Sequence, residues 1–257
     1  MSKNNNIKMV VTDLDGTLLK NDKYISEYTA LFLDKMRQKG ILFAIATARP
    51  IRAVKDTLPW VKYDAGVFHN GAVVIDQQEA KSGFGIEKPR ALVAAILADK
   101  PMSKIAVESN DVMYANFKAE SLWPGVEYKL TNDFHEIEGS IADKIIVEAH
   151  SLEEMSLLQK YIPEELYLQL SENIIAMILN KKATKSNGIK LLAEQYDIKP
   201  EQIVAFGDDY NDIDMLQSFG KGIAVQNALD EVKAAADEVC DSNENDGVAK
   251  WLEQNLA

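Results

Sequence analysis

Apolar residues along this chain fall into short unbroken runs, separated by stretches in which they return every three or four positions. Met9-Val10-Val11, "ILFAIAT" from Ile41 and "IVAFG" from Ile203 are runs of the first kind, the pattern of strands covered on both faces. Ser26 offers an N-cap to the segment behind it, where Leu31, Leu33 and Met36 lead to Gly40, so a helix with a glycine stop is predicted. Pro50 suits the first turn of a second helix, and Asn70-Gly71 predicts a turn between two further strands. Strand and helix alternating in this way predict a parallel sheet with right-handed crossovers.

From residue 83 to residue 182 the rhythm changes. "KPRALVAAILAD" and "SLEEMSLLQKYI" read as helices, while "KIAVESNDVMYANF", "DKIIVEA", "ELYLQLSE" and "NIIAMILN" read as strands. Several strands with few helices predict an antiparallel sheet and a separate α+β unit. The earlier alternation then resumes, from "SNGIKLLAEQYD" to a last helix, "DGVAKWLEQNL". The expected organisation is a discontinuous α/β domain, residues 1–82 and 183–257, interrupted by an inserted α+β domain, residues 83–182.

Composition narrows the function classes. With 257 residues, 47% hydrophobic and 26% charged, the chain can bury a sizeable core. A formal net charge of −12 argues against broad contact with nucleic acid or an anionic membrane, which call for a basic face. An anionic substrate would need some local reversal of the field. Cys240 has no second cysteine to pair with, and the stretch "MSKNNNIKMVV" lacks the apolar run of a leader. The longest apolar run, Gly40 to Ala46, is too short to span a bilayer, so a cytoplasmic protein is expected.

Ligands of open α/β sheets gather beyond the carboxyl ends of the strands. The first run ends in Asp13-Leu14-Asp15-Gly16-Thr17, the second in Thr47-Ala48-Arg49, and the "IVAFG" run in Asp208-Asp209-Tyr210-Asn211-Asp212. Lys185 stands where the α/β rhythm returns. Two carboxylates one residue apart are a weak signal alone, since Asp212-Ile213-Asp214 repeats the spacing. Gathered acids without basic neighbours invite a hard divalent cation, and Mg2+ takes one or two carboxylates together with phosphate and water. Such an ion, with Lys185 and helix N-termini, makes a positive pocket on a negative protein, as a phosphate dianion requires.

In that order, Asp-x-Asp-Gly-Thr at 13–17, the strand-end Thr47, the isolated Lys185 and Gly-Asp-Asp-x-Asn-Asp at 207–212 resemble the four motifs of the haloacid dehalogenase-like superfamily. The place and size of the insertion resemble its Cof-type branch, with a class IIB cap. The resemblance implies a doubly wound, Rossmann-like α/β core with an inserted α+β cap domain. It implies a Mg2+-dependent phosphatase of small phosphorylated metabolites, whether sugar phosphates, nucleotides or phosphorylated cofactors. Asp13 would be the nucleophile that forms an aspartyl-phosphate, and Asp15 the acid for the leaving alkoxide and then the base for water. Thr17 would order the turn that Gly16 permits. The Thr47 hydroxyl and the Ala48 N–H would hold phosphoryl oxygens, and Lys185 would neutralise charge there. Leu14, Thr17, Arg49, Asn70, Gly71 and Asn211 would adjoin phosphate or substrate. The metal would be held by Asp13, the Asp15 carbonyl and Asp208, with Asp212 acting through water or neighbouring groups. The family often has Gly where Ala48 stands and a small residue where Asp209 stands; the first contact is backbone, and Asp209 is expected to face water.

Other readings of these residues stay open. Asp212 also suits a helix cap, Lys185 a surface lysine and Arg49 a surface ion pair. A phosphomutase would use the same motifs. Carbon–halogen hydrolysis would leave Asp15 and Asp208 unexplained, and a receiver-like phospho-accepting module would need neither Asp15 as an acid nor the insertion. His69 reads as structural, His135 and His150 lack ligand spacing, and Cys240 reads as a small buried strand residue. Trp60, Trp123 and Trp251 read as packing residues. Tyr114, Asn116, Lys118 and His135 are the insertion's candidates for substrate choice. Oligomeric state does not follow from the sequence.

Overall fold

The computed structural model describes residues 7–57, 62–79, 81–171 and 173–256, which leaves Trp60 outside the described residues. Contacts divide the chain into two units, residues 1–83 with 184–257 and residues 84–183. In chain order the first unit has β1 (Met9–Thr12), α1 (Glu27–Gln38), β2 (Leu42–Ala46), α2 (Ile51–Thr57), β3 (Ala65–Phe68), β4 (Val73–Ile75) and β5 (Lys81–Ser82). The inserted unit has α3 (Pro89–Asp99), β6 (Ile105–Ser109), β7 (Val112–Ala115), β8 (Lys129–Leu130), β9 (Lys144–Glu148), α4 (Leu152–Ser156), β10 (Leu166–Ser171) and β11 (Ile175–Asn180). The first unit resumes with α5 (Lys185–Gln195), β12 (Ile203–Gly207), α6 (Ile213–Ser218), β13 (Lys221–Val225), α7 (Asp230–Ala235), β14 (Glu238–Cys240) and α8 (Gly247–Leu256).

Strands of the first unit lie in the order β14-β13-β12-β1-β2-β3-β4-β5. The run from β14 to β3 is parallel, whereas β4 and β5 add an antiparallel edge. The reason is loop length: His69-Asn70-Gly71 is too short for a crossover and can only reverse the chain. Every residue of β1, β2 and β12 is buried, as unbroken apolar runs require. Helices cover them as the capping signals foretell. The Ser26 hydroxyl accepts the Thr29 N–H, α1 buries Leu33 and Met36 but leaves Leu31 in solvent, and Gly40 takes φ +82° behind it. Trp251 of α8 meets the Phe206 ring edge-on at 5.5 Å. Cys240 is half-buried, and burial pushes its thiol up to about 12. The register sets Thr12 opposite both Ile45 and Phe206, so the chain leaves β1, β2 and β12 at one end of the sheet.

The inserted unit has its own sheet, β10-β11-β9-β6-β7-β8, antiparallel except for the β7–β8 pair. Ile105, Val107, Ile145, Val147 and Ile178 form one core with Val93 and Ile96 of α3. Ala106, Met113, Ala115 and Ile146 form another, onto which Phe117 and Trp123 pack. The alternation is that of a sheet covered on both sides. "KIAVESNDVMYANF" is a hairpin, turned at Asn110 and Asp111, both with positive φ. The helix expected over "SLEEMSLLQKYI" stops at Ser156, and a 3-10 turn follows at Gln159–Tyr161. Met155, Leu158 and Tyr161 all pack on the first core, and a spacing of three matches the tighter 3-10 period.

Candidate active site

The parallel register decides which side chains meet. The Asp13 N–H donates to the Phe206 carbonyl at 2.9 Å, which seats Asp13 beside the last residues of β12, and Asp208 follows directly. Lys185 is the first residue of α5, one position earlier than the sequence pattern suggests, because the Thr184 hydroxyl caps the helix through the Asn187 N–H. Ile189 and Leu192 are fully buried and fix α5 on β3 and β4, each burial contributing about 2 kcal/mol. The lysine is thereby driven into the core, where its Nζ lies 2.6 Å from Asp13 Oδ1 and 2.6 Å from Asp212 Oδ1. It is not a surface lysine.

Carboxylate oxygens of Asp13, Asp208 and Asp212 all lie within 4.8 Å of one another. Burial raises Asp13 to about 7 against the pull of Lys185, and Asp212 and Asp208 add to the rise. Burial likewise raises Asp208 to about 6, opposed by the Thr17 hydroxyl, which donates to its Oδ1. Burial disfavours the Lys185 charge, yet Asp13 and Asp212 outweigh that and hold the ammonium above its usual range. Both members of the Asp13–Lys185 pair bind protons more tightly, Asp13 because burial and then its neighbouring carboxylates disfavour its charge, Lys185 because two carboxylates face it. Three negative charges against one positive leave two uncompensated, and hard oxygen donors with that surplus fit a divalent cation. Gly16 makes the approach possible. Its φ is +81°, and a Cβ there would stand 2.4 Å from Asp208 Oδ2.

Asp212 is fully buried, with Oδ1 on Lys185 and Oδ2 accepting the N–H groups of Asp208 and Asp209. It braces the loop after β12 but makes no side-chain cap to α6, so it is not the helix cap that the sequence also allowed. Asp209 is exposed and accepts the Tyr210 N–H. Thr47 is buried, and its hydroxyl accepts the Arg49 N–H. Ala48 is exposed. The Leu14 side chain is fully buried in the core, so only its backbone is left for a ligand. Asn70 has φ 55°, and its Oδ1 accepts from Asn211 Nδ2 at 3.2 Å. Gly71 has φ +106°, and a Cβ there would lie 2.3 Å from the Thr184 carbonyl, so its bare backbone supports the start of α5. His69 is buried, with its N–H on the Arg49 carbonyl.

Asp15 stands apart from the acidic cluster. Arg49 grips both its oxygens, Nε on Oδ2 and Nη2 on Oδ1, each at 2.6 Å, and Lys23 adds Nζ at 2.8 Å. Partial burial pushes the carboxyl up, but the hydrogen bonds and charges of Arg49 and Lys23 prevail and hold it below the usual range. Sequence reasoning missed Lys23. It also missed Asn227, whose Nδ2 donates to the Gly16 carbonyl at 2.7 Å while its Oδ1 accepts the Asn243 N–H at 2.9 Å. Asn227 lies just past β13, and the strand-end rule applied to that strand would have found it.

In the inserted unit Asn116 is occupied by backbone, accepting the Ile105 N–H and donating to the Ser103 carbonyl. Tyr114 packs on the core shared with α3. Lys118 precedes a 3-10 turn at Ala119–Ser121. His135 lies exposed with Asp133 and Glu136, their ligand atoms within 4.8 Å, a grouping that local spacing did not suggest. Arg90 pairs with Asp133 and Glu138 beside it.

The description of haloacid dehalogenase-like hydrolases matches residues 10–252. The chain belongs to this family. A Haemophilus influenzae protein provisionally named a phosphatase is 30% identical, over 97% of this chain and 98% of its own length. The 5-amino-6-(5-phospho-D-ribitylamino)uracil phosphatase YitU of Bacillus subtilis is 26% identical, over 96% of each. A haloacid dehalogenase-like hydrolase of B. subtilis superposes with a TM-score of 0.77 at 25% identity, covering 98% of this chain and 100% of that one. A Bacteroides thetaiotaomicron phosphatase of the superfamily, at 24% identity, shares the fold with a TM-score of 0.81, covering 100% and 98%. As a family member the chain is an enzyme, a hydrolase of the kind whose relatives are phosphatases by name. Among the described residues no helix is long and apolar enough to cross a membrane.

Proposed function

We propose that this hydrolase is a Mg2+-dependent phosphatase of small phosphorylated metabolites that works through an aspartyl-phosphate on Asp13. The observation that carries it is the meeting of Asp13, Asp208 and Asp212 around Lys185 at the carboxyl ends of β1 and β12. The name of the Bacillus relative, a phosphatase of a phosphorylated ribitylamino-uracil, supports a small phosphorylated metabolite as substrate.

Asp13 attacks phosphorus, and its new P–O bond forms as the ester P–O bond breaks. The electron pair leaves with the ester oxygen, which takes a proton from the protonated form of Asp15, the minor form while Arg49 and Lys23 hold the carboxyl below the usual range. Water then splits the aspartyl-phosphate, giving a proton back to Asp15. Lys185 holds Asp13 in place and offsets charge on the transferring group, while the Thr47 hydroxyl and the Ala48 N–H hold its oxygens. Mg2+ bound by Asp13, Asp208 and the Asp15 carbonyl would stabilise negative charge on the phosphoryl oxygens. Residues 84–183 serve as a cap and choose the ester.

Phosphate release from p-nitrophenyl phosphate, with and without EDTA, tests this reading. Turnover is expected with Mg2+, and its loss in EDTA and in Asp13→Asn. Activity unchanged by either would overturn it.

A further inference from the structure

Lys23 has no part in the reading above, yet it sits on the Asp15 carboxylate. Its backbone is left-handed, with φ 66°, in a turn closed by Lys23 N–H to the Lys20 carbonyl at 2.9 Å and Lys20 N–H to the Tyr24 carbonyl at 2.8 Å. A long side chain is uncommon in that conformation, and such strain persists where the surroundings over-determine it. Here they do. Lys20 Nζ donates to the Glu244 carbonyl at 2.7 Å, the Asn21 N–H to Glu244 Oε1 at 2.6 Å, and Asn243 Nδ2 to the Leu19 carbonyl at 2.9 Å. The turn is tied down on its far side, so Lys23 is presented to Asp15 from a fixed base.

The geometry contains a conflict. To protonate a leaving oxygen, Asp15 must have one carboxylate oxygen turned to the ester, but Arg49 holds both. A guanidinium fits a phosphate as well as a carboxylate, in the same two-pronged manner. A phosphate dianion at Asp13 therefore competes for Arg49. Once Arg49 turns to it, Oδ2 is released, and Lys23 on Oδ1 is the contact that still orients the carboxyl among the described residues. We propose that Lys23 is a positioning residue for Asp15, keeping its carboxyl aimed at the leaving oxygen after Arg49 has moved to the phosphoryl group. This rests on the phosphatase reading.

The test is leaving-group dependence. Kinetics of Lys23→Met and Lys23→Arg are measured with p-nitrophenyl phosphate, whose nitrophenolate departs with little need of a proton, and with phenyl phosphate, whose phenolate is about as basic as that of tyrosine. Lys23→Met should lose kcat/KM for phenyl phosphate about tenfold more than for the nitrophenyl ester, within the range that general acids supply. Lys23→Arg should restore most of the difference. Added to Asp15→Asn, Lys23→Met should cost nothing further, because the two act as one unit. The side chain is mostly exposed, so the thermal midpoint should not move. Equal loss for both esters, or a change confined to KM, overturns the proposal while leaving the phosphatase reading intact. A wild type that hydrolyses neither ester removes both.

Discussion

At the scale of single residues, one ammonium among three carboxylates governs both stability and chemistry. Lys185→Met leaves Asp13 and Asp212 buried without a cation. Breaking a buried ion pair on one side typically costs about 3–5 kcal/mol. Urea unfolding at pH 8 should show a loss of about that size, with kcat/KM lower by about a hundredfold or more. An unchanged midpoint would mean that the pair is not buried in solution. Acidity gives a second handle. Asp13 at about 7 and Asp208 at about 6 lie above the ordinary carboxylate value of 3.8, so the folded chain binds more protons than the unfolded one in between. Stability without metal should therefore fall as pH rises from about 4 to about 7. The gain in melting temperature on adding Mg2+ should grow over the same window, since bound metal needs the ionised forms. Thermal melts at a series of pH values check both slopes, and a Mg2+ gain that is flat with pH contradicts the site.

At the scale of elements, each functional side chain is placed by a strand end or a cap. Thr184→Ala removes the hydroxyl that receives the Asn187 N–H, which should cost about 1 kcal/mol of stability. It should also weaken turnover beyond that, since Lys185 is the next residue; a stability loss with kcat unchanged would show that the cap does not set the lysine. The same elements explain what the sequence made legible. Unbroken apolar runs announced β1, β2 and β12, and the polar residues ending them were Asp13, Thr47 and Asp208. The Asn70-Gly71 turn was legible, but the antiparallel edge it starts was not part of the expected parallel sheet, and β5 was not foreseen. Lys23 was hidden because an exposed lysine looks like any other among the 28 basic residues, and its contact depends on a left-handed backbone that no local pattern specifies. An ion pair of Arg49 was among the readings, but its partner Asp15 was hidden, since the pair joins residues whose proximity only the parallel register creates.

At the scale of the whole molecule, each unit buries its own apolar residues, one core in residues 1–83 with 184–257 and two in residues 84–183, where a continuous chain could have built one. Residues 84–183 bury Ile105, Val107, Phe134, Ile145 and Ile178 among themselves. As a separate fragment they should fold and melt cooperatively, measured by circular dichroism and amide exchange; a fragment without a melting transition would show that this core depends on the rest of the chain. Charge is arranged on the same scale, with a formal −12 overall and the cations Arg49, Lys23 and Lys185 set among the acids Asp13, Asp15, Asp208 and Asp212 at the carboxyl ends of the strands. The half-buried thiol of Cys240 has a practical use. Raised by burial to about 12, it holds far less of the reactive thiolate at neutral pH than an open cysteine does, and so reacts more slowly with maleimides. A cysteine introduced at any open surface position will take a dye first, so fluorescence reporters can be attached to either unit of the native chain without deleting anything.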